Sequence, residues 1–321
     1  MKHLLFLAVV SATLISCGGN NKETAATGDD LRGEISLSGA FALYPLAVQW
    51  ADEFRRLHPH VRIDISAGGA GKGMTDALAK VVDLGMVSRE VADVELAKGA
   101  VPFAVAKDAV VPTINAQNPQ LDALLRRGLT RNEAIRLWID GKQTTWGQIA
   151  NTDDPTVITV YNRSDACGAA ETWAVWLGKK QEDLQGTGVF GDPGVAAAVQ
   201  KDPKGIGFNN IGYVYDANTL RPNPGLVVIP IDVDNSGAIE PEERFYDHRD
   251  SLVAAISDGR YPSPPARDLY LVSAGVPRKP AVVEFLRYIL SQGQDANAGQ
   301  GYIRLSDDKL QEGLNRLASD L

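Results

Sequence analysis

The sequence predicts an α/β protein of two domains with largely parallel sheets. Short apolar runs alternate with helical patterns along the chain, which is the signature of strand–helix–strand units. The 321 residues are enough for two compact cores, and 44% of them are hydrophobic. Neither repeats nor heptads interrupt this reading. The net charge of −8, from 32 basic and 40 acidic residues, excludes the basic face of a nucleic-acid binder. No apolar run reaches the ~18 residues of a spanning helix.

Taken in order, Met1-Lys2-His3 is a short basic start followed by an apolar stretch over 4–15. It ends in Leu14-Ile15-Ser16-Cys17, which resembles the lipobox of bacterial lipoproteins. Residues 1–17 are therefore read as a lipoprotein signal, with Cys17 the lipidated residue. Residues 18–30 (GGNNKETAATGDD) are almost without apolar content and read as a flexible tether. The mature chain then keeps one thiol, Cys167, and an intramolecular disulfide is impossible.

Residues 34–37 read as a strand and 45–57 as an amphipathic helix, with Leu46, Val48, Trp50, Phe54 and Leu57 at three- and four-residue spacing. Strands at 61–65 and 82–86 flank a helix at 73–80, and apolar runs at 103–105 and 109–114 continue the pattern. The polar, turn-rich NAQNP at 115–119 suggests a crossing between domains. Helices at 130–139 and 145–149 precede a strand at 157–161 and a helix at 169–177. Strands follow at 207–208 and 227–231. YPSPP at 261–265 breaks structure before a strand at 268–273, and the last strong helix spans 280–292.

Three segments could carry chemistry. Ser66-Ala-Gly-Gly-Ala-Gly-Lys-Gly73 lies between a strand and a helix. It brushes against a phosphate-loop pattern but lacks the first glycine and the metal-binding hydroxyl, so nucleotide hydrolysis is disfavoured. Its glycines still let backbone N–H groups approach an anion at a helix start; a plain tight turn is the alternative. The second segment, Asn162-Arg-Ser-Asp-Ala-Cys-Gly-Ala-Ala-Glu-Thr172, also follows a strand and opens a helix. Arg163 offers a fork of donors for an oxyanion, and Asp165 can pair with it and hold it in place. Cys167, Gly168 and Ala169 would add N–H groups of the first helical turn. The same stretch leaves an enzyme open, because a thiol at a helix start near an arginine can be nucleophilic. None of His58, His60 and His248 belongs to an obvious catalytic motif, and a buried, inert Cys167 is the other alternative.

The third segment runs from Asp232 to Glu243 (DVDNSGAIEPEE). Oxygen ligands fall at positions 1, 3, 5 and 9, glycine at 6, an apolar residue at 8 and glutamate at 12, as in an EF-hand calcium loop. Asp232, Asp234, Ser236, the Ala238 carbonyl, Glu240 and Glu243 are the candidate ligands. The preceding residues read as a strand, so a lone structural calcium loop is expected rather than a paired sensor. An acidic turn without metal is the alternative.

These segments, in this order, resemble the phosphate-binding proteins of bacterial phosphate ABC transporters from about residue 33 to 317. The likeness is carried by SGAFALYP at 38–45, the glycine loop at 66–73, DLGMVSR at 83–89, and the stretch from Leu129-Thr130 to Trp146. NRSD at 162–165, the paired stretches 194–199 and 205–214, RDLY at 267–270, and 285–294 with 301–306 extend it. The resemblance implies a type II periplasmic binding-protein fold with a hinge and a central anion cleft. Domain 1 would comprise 31–114 and 266–321, and domain 2 would comprise 115–265 with the calcium loop inserted at 232–243. It further implies an extracytoplasmic monomer, not an enzyme, that passes phosphate to the permease of an ABC importer. A related tetrahedral oxyanion or a phosphorylated metabolite is the alternative within the class. The ligand would meet Arg163, Ser88 and the N–H groups of Ala42, Leu43, Tyr44, Gly69, Ala70, Cys167, Gly168 and Ala169. Family members commonly carry hydroxyls at the positions of Leu43, Gly68, Cys167 and Ala169, and often an aspartate where Ser88 stands. Those side-chain donors and that acceptor are missing here.

Overall fold

The computed structural model describes residues 31–318. Cys17 and the expected tether lie outside the described residues. Eleven strands are seen: β1 (Gly33–Gly39), β2 (Val61–Ala67), β3 (Leu84–Val87), β4 (Ala100–Asn115), β5 (Leu129–Thr130), β6 (Thr159–Arg163), β7 (Thr187–Val189), β8 (Gly205–Asn210), β9 (Leu226–Val228), β10 (Ile231–Asp232) and β11 (Ala266–Ala274). The helices in the first half are α1 (Tyr44–Leu57), α2 (Ala70–Leu78) and α3 (Asp93–Leu96). Then come α4 (Leu121–Arg127), α5 (Arg131–Trp138), α6 (Trp146–Ala150), α7 (Gly168–Trp176), α8 (Gly191–Lys201), α9 (Ile211–Val214) and α10 (Arg249–Ser257). The chain ends with α11 (Pro280–Ile289), α12 (Asp295–Gly299) and α13 (Asp307–Ala318).

One sheet runs through the molecule in the order β2-β1-β3-β11-β4-β8-β6-β7, with β9 beside β4. Its flanks are parallel: β1 pairs β2 and β3, and β6 pairs β7 and β8, as strand–helix alternation requires. Its centre is antiparallel, because β4 and β11 are the two strands that carry the chain across. Residues 100–109 of β4 pair with β11, whereas Val110–Ile114 pair with β8.

The partner change falls between Ala109 and Val110, before the NAQNP turn that suggested the crossing. The two apolar runs at 103–105 and 109–114 are one continuous sixteen-residue strand. NAQNP instead turns inside the second half, where the Asn115 side chain donates to the carbonyls of Val199 and Gln200. The second crossing meets the first at one level: the Val110 amide donates to Pro265, and Ala266 pairs with Ala109. The Ser263–Pro264 and Pro264–Pro265 bonds before β11 are cis.

Two hydrophobic clusters flank this level. One gathers α1, α11 and β1–β3 around Trp50, Phe54, Phe103 and Phe285; the other gathers α5–α7 and β8 around Trp138, Trp146, Trp173 and Phe208. Helix α1 buries Leu46, Ala47, Trp50, Ala51 and Phe54, so its inner face excludes Leu57, which is half exposed. Helix α8 begins with Gly, Asp, Pro and Gly, whose low helix propensity hid it in the sequence. Tertiary burial of Val195, Ala196 and Val199 holds it in place.

Candidate anion site and calcium loop

The two flanking halves meet where α2 and α7 begin. Gly69 has φ +89°, a left-handed value that disfavours side chains, and a Cβ there would lie 2.9 Å from the Ala166 carbonyl oxygen. Its neighbour Gly71 donates its amide to that same oxygen at 3.2 Å. On the other side of the seam, a Cβ at Gly168 would lie 2.1 Å from the Ser88 carbonyl oxygen and 2.3 Å from the Ser88 hydroxyl. Ser88 is 2% exposed, and its hydroxyl finds no partner among the described residues. Helix α7 therefore starts directly against the Ser88 hydroxyl of the opposite half, which forms no hydrogen bond among the described residues.

The expected N–H donors sort into two groups. Leu43, Tyr44, Gly69 and Cys167 are spoken for: Leu43 donates to Ala40, Tyr44 to Phe41, Gly69 to Gly39, and Cys167 to the Gln181 side chain. The amides of Ala42, Ala70, Gly168 and Ala169 have no hydrogen-bond partner among the described residues. For the last three this follows from their place in the first turn of a helix, where N–H groups have no partner one turn back. Leu43 itself is fully buried in the first core.

Arg163 is brought to this place but is not a free clamp. Its Nε and Nη2 donate to the two oxygens of Asp165 at 2.8 and 2.6 Å, and Nη1 donates to Asp192 at 2.6 Å. Three of its five N–H groups are thus taken, and its side chain is 1% exposed. Burial alone would lower its pKa, but the adjacent carboxylates, Asp192 foremost, raise it and keep it charged. The Asp165 pairing follows from the NRSD motif. Asp192 gave no sequence signal, since an acid near a helix start ordinarily serves the helix dipole at the surface. Here it is buried, taking the Asn210 amide on its other oxygen. Phe41 closes the arrangement: its ring lies 5.7 Å from the guanidinium and 5.9 Å from Phe190, and its carbonyl accepts from the Tyr213 hydroxyl.

Two further expectations are decided by partners. Lys72, in the lysine position of the phosphate-loop-like segment, is bound to Asp76 along its own helix and lies over Gly68. Cys167 caps α7, its sulfur accepting the Ala170 amide at 3.4 Å. Burial pushes its thiol up to about 12, against the pull of Arg163. It is therefore a protonated thiol at neutral pH, without the thiolate that a nucleophile needs.

The 232–243 loop is separate from this seam. Asp232 ends β10, which pairs with β5, and is almost fully buried. Its oxygens accept the amides of Ser236 and Gly237, and Gly237 supplies the positive φ of the turn. Ile239 is buried and its amide donates to Arg126, anchoring the loop to the end of α4. Oxygens of Asp232, Asp234 and Glu243 lie within 4.8 Å of one another. The Ser236 hydroxyl donates to the Ala238 carbonyl at 2.8 Å and contacts Glu240 at 3.1 Å. The three carboxylates of Asp232, Asp234 and Glu243 thus form one group that could hold a divalent cation, with Ser236, Ala238 and Glu240 in contact with one another in the same loop.

The family model described as a PBP superfamily domain matches residues 24–292. The chain belongs to the PBP superfamily. Among similar PBP relatives is the phosphate-binding protein PstS of Pseudomonas aeruginosa (strain UCBPP-PA14), 27% identical over 85% of this chain and 83% of its own length. The phosphate-binding protein PstS of Bacillus subtilis (strain 168) is 23% identical over 97% of this chain and 96% of its own. Among solved structures, a putative phosphate ABC transporter substrate-binding protein with bound phosphate from Clostridium perfringens shares the PBP fold. It aligns with a TM-score of 0.68 and 23% identity, covering 85% of this chain and all of that one. No helix among the described residues is long and apolar enough to cross a membrane.

Proposed function

We propose that this chain is an extracytoplasmic binding protein that captures inorganic phosphate in the seam between its halves and delivers it to an ABC importer without performing chemistry on it. The observation that supports this best is the convergence of free amides at the starts of α2 and α7 with the hydroxyl of Ser88, a buried residue whose hydroxyl forms no hydrogen bond among the described residues. Helix starts favour anions because their N–H groups point outward and carry partial positive charge. The relatives that cover most of the chain are named phosphate-binding proteins, which makes phosphate the first anion to test. Cys17 would carry a lipid anchor and hold the protein at a membrane.

Calorimetric titration of anion-stripped protein with phosphate, arsenate and sulfate tests this reading. One phosphate per chain is expected, with arsenate close behind. Sulfate is expected to compete, because Asp165 and Asp192 are both engaged by Arg163 and neither is left to demand a protonated ligand. No heat with any of the three would overturn the reading. Cys167→Ala should keep phosphate binding, whereas an enzyme built on this thiol would lose its activity.

The 232–243 loop is proposed as a structural calcium site. Five of its six candidate ligands offer side-chain oxygens, which suits a hard cation. Four carboxylates in one short loop repel one another unless a cation sits among them.

A further inference from the structure

A cavity of about 710 Å³ lies beside the anion pocket, lined by both halves and by both crossing strands. Gly71, Ala166 and Cys167 form its wall towards the pocket, where the Gly71 amide bridges the seam to Ala166. Its volume lies in the range of small-molecule sites, which recur between domains, and far exceeds the needs of a phosphorus with four oxygens.

The charged lining divides into occupied and unoccupied groups. Arg89 is held by both oxygens of Glu95 at 2.7 and 2.8 Å, and Lys309 is held by Asp268. Glu171 and Glu182 form no direct ion pair among the described residues, although Glu171 lies near enough to Arg89 to stabilise its charge; one oxygen of Glu171 accepts the Gln181 amide at 3.3 Å and the other has no hydrogen bond. Both acids stand on the α7 side of the cavity. Lys107, from β4 on the crossing, and Glu90, whose carboxylate accepts the Tyr270 hydroxyl, also form no ion pair among the described residues. Glu171 is three residues beyond Gly168 on α7, so ~4.5 Å of helical rise separates the free amides at the helix start from its carboxylate's origin. That spacing suits a phosphoryl group joined to an ammonium through a short carbon linker. The hydroxyl of the buried residue Ser88, next to Gly168 and without a hydrogen bond among the described residues, marks the phosphoryl end.

We infer that the cavity receives the organic part of an aminoalkyl phosphate or phosphonate, with its phosphoryl group at the start of α7 and its ammonium on Glu171. This rests on the phosphate reading of the pocket. The linker takes the path now bridged by the Gly71–Ala166 hydrogen bond.

Titration calorimetry of the stripped full chain with inorganic phosphate, ethyl phosphate and O-phosphoethanolamine tests it. Phosphoethanolamine should bind roughly tenfold more tightly than ethyl phosphate, the size of one charge-assisted hydrogen bond. In Glu171→Gln, which can still accept the Gln181 amide, the ratio should fall towards one, with the melting temperature reporting folding. A ratio near one in the wild type, or an unchanged ratio in Glu171→Gln, would overturn the inference. Binding of phosphate but of neither ester would overturn it while leaving the phosphate reading intact. Binding of phosphoethanolamine without inorganic phosphate would support the cavity and overturn the inorganic reading. Silence from all three overturns both.

Discussion

Arg163 shows how a single residue changes meaning between sequence and structure. From NRSD it reads as a ligand clamp steadied by Asp165. In the fold it is first a structural tie, buried between two carboxylates that belong to different elements, β6 with its following turn and α8. Removing one partner of a buried ion network leaves uncompensated charge, at a cost of ~3–5 kcal/mol. Arg163→Ala leaves two carboxylates in that position. Urea unfolding should show a fall in stability of that order, and a wild-type midpoint would show that the network contributes little. Asp192 was invisible in the sequence because its role depends on where α8 lands against β6 and β8. Cys167, by contrast, was legible as a helix-start residue, and its burial, which pushes its thiol pKa up, fits the inert alternative rather than the nucleophilic one.

At the scale of elements, periodic and capped segments were readable and contextual ones were not. Thr130 and Thr145 cap α5 and α6 with the glutamate and glutamine three residues on, so their starts follow from local chemistry. Strand β4 was read as two strands because its middle, AKD at 106–108, interrupts the apolar run. Asp108 is buried there only because Arg267 of β11 pairs with it at 2.9 Å. The proposed calcium loop is the most local element of all, since twelve consecutive residues carry every candidate ligand. Calcium bound to the folded state alone would stabilise it by about 2.7 kcal/mol at a hundredfold excess over the dissociation constant. Millimolar calcium should raise the melting temperature, and the rise should vanish in Glu243→Ala, while phosphate binding persists. No response to calcium or chelator in the wild type would reduce the loop to an acidic turn.

At the scale of the molecule, the fold class was legible and the closeness of the halves was not. Strand–helix alternation dictates parallel flanks, and returning the chain twice through the middle makes the centre antiparallel. What sequence could not give is which backbone groups touch across the seam. Those contacts are between Gly69 or Gly71 and Ala166, Gly168 and Ser88, and Phe41 with Phe190 and Tyr213. They join residues far apart in the chain, and most involve backbone atoms that leave no side-chain pattern. Gly168 is the tightest of them. A methyl group there cannot be accommodated against the Ser88 carbonyl, so Gly168→Ala should hold the halves apart while leaving each core intact.

The most direct test of capture at this seam is phosphate titration calorimetry of stripped wild-type protein beside Gly168→Ala, with thermal melts of both. One phosphate should bind per wild-type chain. Binding should weaken by roughly tenfold or more in Gly168→Ala, the loss of about one charge-assisted hydrogen bond, at a similar melting temperature. Equal affinity in the two proteins would place the anion elsewhere, and a wild type that binds no phosphate would rule out phosphate capture at this seam.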